Sequence, residues 1–167
     1  MSTWYQDSRR VIEDRYGTNA DKFCDVLAAT SPRKQVKANW NLAVRVFDEY
    51  LATGRYNRYG MMPAHWMNVD RALAGEPLHG YKVPAFAANL KGDLQRVTID
   101  TWVMVYYGFK QLRIRRKEYY RMEKAMQMLA RQRGMQPAEY QAMIWCKAVT
   151  SAGRTPYSYV DAAKGGF

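Results

Sequence analysis

Apolar residues recur at three- and four-residue intervals along most of this chain, the spacing that gathers them on one face of a helix. Between Asn19 and Ala29, Phe23, Val26 and Leu27 share such a face, with Thr18 or Asn19 in the cap position. In the connector AATSPRKQ, Ser31 can cap the next helix and Pro32 suits a helix start. Beyond it Val36, Trp40, Ala43, Val44, Phe47 and Leu51 line one side of a longer helix, with Lys37, Asn41, Arg45 and Asp48 opposite. Gly54 closes that helix. Arg55 to Pro63 reads as a basic, Tyr-rich loop facing a ligand, and a short helix over His65–Ala74 ends at Gly75 and Pro77. Val83, Phe86, Ala87 and Leu90 then predict a helix over Lys82–Leu90, where Pro84 is acceptable in the first turn.

The stretch from Trp102 to Tyr107 carries β-branched and aromatic residues that suit a strand as well as a helix, and its helical neighbours decide for a helix. Along Lys110–Arg133, Leu112, Tyr119, Met122, Met126 and Leu129 form one stripe, and Arg113, Lys117, Arg121, Lys124 and Arg131 the opposite one. A last helix, Ala138–Val149, follows Pro137. Met122, Met126, Met128 and Met143 read as core rather than as a binding stripe, and the small, Gly-containing end after Thr155 reads as a tail. The pattern predicts an all-α fold, one compact helical domain spanning residues 1–167 with its core over 19–150.

Composition adds a partner to this picture. With 48% apolar and 14% aromatic residues the chain can bury enough surface to fold. Its 26 Lys and Arg against 15 Asp and Glu give a net charge of +11, which favours a polyanion. Nine Lys/Arg against two Glu place +7 of that charge between Lys110 and Arg133. Nucleic acid is the expected partner of a chain expected to be monomeric. A membrane is not expected, because no apolar run approaches the roughly 20 residues that span a bilayer. MSTWYQDSRR lacks the apolar centre of a signal peptide, so the expected location is cytoplasmic. Cys24 and Cys146 are too few for an iron–sulfur cluster or a Cys-rich zinc site and read as buried fillers. His65 and His79 read as packing or surface residues, so neither metal nor cofactor is expected.

No P-loop, dinucleotide fingerprint, metalloprotease helix or nucleophile elbow is present. The stretch that stands out is LHGYKVPAFAANLKGDLQRVTIDTWVMV, from Leu78 to Val105. On the residues alone, Asp100 could cap the helix that starts after it and Lys82 could touch phosphate. The order and spacing of the segment also resemble the helix-hairpin-helix DNA glycosylase superfamily. The resemblance is to the endonuclease III branch, in which a Gly-any-Lys hairpin end precedes a helix, a turn and a Val-Asp-Thr-like segment. Here Gly80, Tyr81 and Lys82 stand at the hairpin end, and Ile99, Asp100 and Thr101 form the second segment, with Asp100 eighteen positions after Lys82. LAATSPRKQVK resembles the loop that places a polar wedge in DNA, with Thr30 in the wedge position. QPAEYQAMIW is similar to a late packing helix. The usual Pro-Gly-Val-Gly hairpin run is replaced by Leu78, His79 and Gly80, and the cluster-binding cysteines are absent.

This resemblance implies a compact, cluster-free glycosylase-like domain in which Asp100 and Lys82 are catalytic. It also implies that Thr30, Ser31, Arg33, Lys34, Gly80 and Tyr81 contact DNA, and the +7 helix adds Arg113, Lys117 and Arg121 as expected phosphate contacts. A flipped base would be held by aromatic residues such as Tyr56, Tyr59, Trp66, Tyr81 and Trp102. The implied activity is excision of a damaged or modified base, with strand cleavage if Lys82 forms a Schiff base. Two other readings stand beside it. One is a phage-type enzyme that modifies a hypermodified thymine in DNA without cutting the glycosidic bond. The other is a non-catalytic DNA-binding protein.

Overall fold

A computed structural model describes residues 3–165, which are helical with no strand among them. The elements are α1 (Trp4–Tyr16), α2 (Ala20–Ala29), α3 (Val36–Thr53), α4 (Pro63–Ala74), α5 (Lys82–Leu90), α6 (Thr101–Tyr106), α7 (Arg116–Gln132), α8 (Pro137–Ser151) and α9 (Tyr159–Ala163). No helix among the described residues is long and apolar enough to cross a membrane. The ends of the expected 1–167 span lie outside the described residues.

Two buried clusters organise these helices. The first surrounds α2, whose Phe23, Val26 and Leu27 are wholly buried against α1, α3, α4 and α5, with α9 packed on α1 and α3. The second joins α6, α7 and α8 through Val103, Tyr119, Met126 and Ile144, with Val97 and Ile99 of the preceding segment. Helix α5 serves both, giving Val83, Phe86 and Leu90 to the first and Ala85 to the second. Lys82, at the start of α5, and Asp100, at the start of α6, therefore sit where the two clusters meet.

Several expectations are corrected here. The core is wider than 19–150, because α1 buries Tyr5 and Ile12, and the expected tail forms α9, which buries Tyr159 and Ala162. Ser31 does not cap α3, which begins at Val36; its hydroxyl instead donates to Ala28 O at 2.7 Å and closes α2. Leu51, on the expected apolar face of α3, is 46% exposed, on the last turn before Gly54. Gly54 does close that helix, at φ 73°, a left-handed conformation that costs glycine little. The helix expected from Lys110 begins only at Arg116, so Lys110, Leu112, Arg113 and Arg115 belong to a loop. Met126 is core, whereas Met128 is 59% exposed. Cys24 is buried, Cys146 half-buried, and both are free thiols.

The α1 contribution has a measurable consequence. Ile12→Ala, deleting a fully buried side chain, is expected to cost about 2–5 kcal/mol. Leu51→Ala, at an exposed position, is expected to stay within about 1 kcal/mol of the wild type. Urea midpoints of the two variants test this, and equal losses would remove α1 from the core.

Candidate functional site

The segment between α5 and α6 has no regular structure, yet side chains fix it in place. Asn89 donates to Asp93 O and Arg96 O, each at 2.8 Å, and its Oδ1 accepts from the Thr98 hydroxyl at 2.7 Å. From α7, Glu123 accepts from Val97 N at 2.7 Å and pairs with Arg96 at 2.9 Å. The Tyr119 hydroxyl donates to Val97 O at 2.7 Å and accepts from Ile99 N at 3.1 Å. Every polar backbone group so held is removed from competition with water, and the position of Asp100 is set. Asp100 then caps α6, its Oδ1 accepting from Val103 N at 3.0 Å.

Asp100 and Lys82 face a common cavity of about 100 Å³. Its aromatic walls are Trp4 and Tyr5 of α1, Phe86 of α5, Trp145 of α8 and Tyr159 of α9. Trp4 packs on Tyr159 and Trp145 with ring centroids 5.4 and 5.8 Å apart. Polar edges come from Thr98 and from Gln141, whose Oε1 accepts from the Tyr5 hydroxyl at 2.6 Å. The indole N–H of Trp4 is buried without a hydrogen-bond partner among the described residues. An apolar cavity of about 150 Å³ accepts benzene, which puts the space here on the scale of one small ring.

The cavity adjoins a groove of about 640 Å³ that shares Ser31, Lys34, Val36, Lys82, Asp100 and Trp145 with it. Four cationic side chains, Arg33, Lys34, Lys37 and Arg154, line the groove with the Lys82 amine and a single carboxylate, Asp100. The Arg33–Lys34 turn is braced by His65, whose Nδ1 accepts from Met62 N and whose Nε2 therefore carries the proton donated to Pro32 O at 2.7 Å. Arg33 itself takes a left-handed φ of 58°, uncommon for a residue with a Cβ. The guanidinium of Arg154 lies 5.7 Å from the centre of the Trp102 ring.

Burial pushes the Asp100 carboxyl above the ordinary carboxylate range, against the Val103 N–H and the Lys82 charge, which pull it down. Burial likewise pushes the Lys82 amine below its ordinary value, and the Asp100 charge opposes it. For both groups desolvation is the larger cause. No ion pair within 4 Å joins them, and Lys82 has no hydrogen-bond partner among the described residues. The amine also begins α5, where the positive end of the helix disfavours its protonation. A carboxylate and an amine of lowered basicity thus share one partly water-excluded space.

The remaining sequence-derived site residues divide. Ser31, Arg33, Lys34 and Trp102 line the groove. Thr30 does not, being wholly buried with its Oγ1 2.6 Å from Asn39 Oδ1, so a wedge role is withdrawn from it. Gly80, at φ 99°, is exposed beside His79, whose backbone is clasped by Asn68. Tyr81 turns toward Tyr119, with centroids 5.9 Å apart, instead of toward the groove. Tyr56, Tyr59 and Trp66 do not line the cavity: Tyr56 bonds Asp70, Tyr59 bonds Glu49, and Arg58 lies 3.6 Å over the Trp66 ring. Arg113, Lys117 and Arg121 are exposed but do not line the groove. No group of three or more metal-ligating side chains is assembled among the described residues.

Local sequence patterns do not point to Trp4, Tyr5, Gln141, Trp145 and Tyr159, which form the cavity's far wall. They come from the two ends of the chain and from α8, and only the aromatic content of the two ends hints at them. Against known proteins, a family of unknown function (DUF7178) matches residues 2–152. No curated protein and no solved structure matches the chain.

Proposed function

Because the chain belongs to the DUF7178 family, whose function is unknown, its activity has to be read from its own side chains, and we propose that it is a DNA glycosylase. The observation that carries this reading is the convergence of Asp100 and Lys82, from separate elements, on an aromatic cavity at the side of a cationic groove. The groove holds the phosphates of a strand whose target nucleotide leaves the stack, and the cavity receives its base between aromatic walls. Breaking the N-glycosidic bond leaves positive charge on the sugar, which the Asp100 carboxylate stabilises at close range. The electron pair of that bond leaves with the base. The neutral Lys82 amine then bonds to the anomeric carbon, and as the bond from that carbon to the ring oxygen breaks, one amine proton passes to the oxygen and a protonated imine is left. The helix-hairpin-helix resemblance of Gly80 to Thr101 supports the same assignment.

Incubation with DNA carrying assorted modified bases, followed by mass spectrometry, tests the reading. Free base is the expected product. An altered nucleoside with its glycosidic bond intact would replace the glycosylase with a base-modifying enzyme.

The groove also makes a prediction about affinity. Neutralising Arg33, Lys34 and Arg154 is expected to weaken DNA binding and lower the salt slope by about one for each phosphate no longer gripped. Neutralising Arg113, Lys117 and Arg121, which lie outside the groove, is expected to lower the slope less. Binding titrations across salt concentrations compare the two sets, and the reverse order would move the main phosphate track to α7.

A further inference from the structure

Ten large apolar or aromatic side chains are exposed among the described residues, and four of them, Val105, Tyr106, Phe109 and Leu112, fall within eight positions. The segment is ordered by its own bonds. Phe109 N–H donates to Met104 O and Gly108 N–H to Val105 O, each at 3.0 Å, while the half-buried Tyr107 shares a 2.8 Å hydrogen bond with the Tyr140 hydroxyl. With Tyr107 turned inward, Tyr106 and Phe109 are left on the surface, 44% and 42% exposed. Immediately after them come Lys110, Arg113, Arg115, Arg116 and Lys117, all exposed, with no acidic residue from Val105 to Lys117. No ion pair neutralises any of the five among the described residues.

Uncompensated charge of one sign calls for a polyanion, and exposed rings beside it call for a partner that offers both phosphate and flat apolar surface. Unpaired nucleic acid offers both. A lipid surface offers the charge, but Tyr106 closes α6, Phe109 follows in the turn beyond it, and the six-residue α6 is too short to present an amphipathic face. Duplex DNA hides its base faces. Helix α6, at about 1.5 Å per residue, sets this lip about 9 Å along its axis from the Asp100 cap.

We propose that the Tyr106–Lys117 segment is a second nucleic-acid contact, in which Tyr106 and Phe109 stack on unpaired bases and the following cations hold that strand's phosphates. The contact is a binding feature and stands whether or not Asp100 and Lys82 perform the reaction assigned above. It gives the +7 segment a role that the groove leaves open, and it directs the protein toward single strands, bubbles or strand ends.

The test uses the full chain, a labelled oligothymidylate, and an abasic oligomer of the same length. The wild type is expected to bind the base-bearing strand more tightly. Tyr106→Ala and Phe109→Ala are each expected to weaken that binding about tenfold, the usual scale of one base–aromatic stack, while abasic binding and the salt slope stay unchanged. Lys110→Ala with Arg113→Ala is expected to lower the slope on both oligomers. Tyr106→Phe keeps the ring and should bind as the wild type does. Phe109→Leu keeps apolar area without a stacking face and should bind as weakly as Phe109→Ala. Equal wild-type affinity for the two oligomers would overturn the proposal, as would full binding by Phe109→Leu. So would phosphatidylserine vesicle binding that is lost in the two alanine variants while their oligothymidylate affinity holds, which would assign the segment to a membrane surface. Thermal melts of each variant keep misfolding from passing as weakened affinity.

Discussion

Asp100→Asn is expected to lower the rate of base release by about a hundredfold to a thousandfold, the usual effect of deleting one preorganised electrostatic partner of a transition state. DNA affinity should change little. The substitution removes charge but almost no volume, and asparagine also caps a helix well, so the bond from Val103 N at 3.0 Å has a ready replacement. The loss should therefore appear in single-turnover rates rather than in binding titrations or the melting temperature. The pH dependence supplies an independent readout. Burial lifts the Asp100 carboxyl above the ordinary range, and the reaction needs it ionised. The wild-type rate should fall as pH drops through that raised value, at a higher pH than an exposed aspartate near about 3.9 would give. Asp100→Asn should lack this acid limb, having nothing there to titrate. Full activity in the variant would end the catalytic assignment and leave Asp100 as a cap.

That cap and a place on the cavity wall are compatible because they use Asp100 differently, and the Lys82–Asp100 pair is legible in one stretch of sequence. An aspartate preceding a helical run is a capping signal whatever else it does, and the Lys82 to Asp100 interval carries α5, a turn and the segment into α6. What the sequence does not display is the bracing that turns this interval into a site. Glu123 counts as one more charge on a basic helix until the fold brings it to Val97 N, and Tyr119 counts as one more apolar stripe position until its hydroxyl spans Val97 and Ile99. The cavity wall is hidden for a related reason. Trp4 and Tyr159 are separated by most of the chain, and their contact is a product of tertiary packing around α2 that no local periodicity encodes. Conversely, Tyr56, Tyr59 and Trp66 read as base-holding because aromatic residues in and beside a loop look available, whereas each is occupied by Asp70, Glu49 or Arg58. Lys110 to Arg115 reads as helix because its apolar and basic residues keep helical spacing into α7. The loop instead ends at Arg115, where Glu118 accepts from its N–H at 2.8 Å and starts the helix later than periodicity suggests.

Borohydride present during turnover is expected to trap a covalent protein–DNA adduct, and Lys82→Gln is expected to abolish it while still releasing base at a reduced rate. The expectation rests on the state of the amine. A protonated lysine cannot attack, and here burial, at the positive end of α5, holds Lys82 below its ordinary value despite the opposing charge of Asp100. Because the neutral form is the nucleophile, trapping should increase as pH rises through that lowered value, at a lower pH than the ordinary lysine value of about 10.4 would allow. Asp100→Asn removes the one opposing charge, which drops the Lys82 value further. In that variant the onset of trapping should move to lower pH even as base release slows, a combination that a merely phosphate-binding lysine would not produce. An adduct persisting in Lys82→Gln would direct attention to Lys34, which also lines the cavity, rather than to Lys91, whose ammonium is engaged by Asp25 at 2.9 Å. Base release with no trapped species at any pH would leave Asp100 to act with water and return Lys82 to binding the strand.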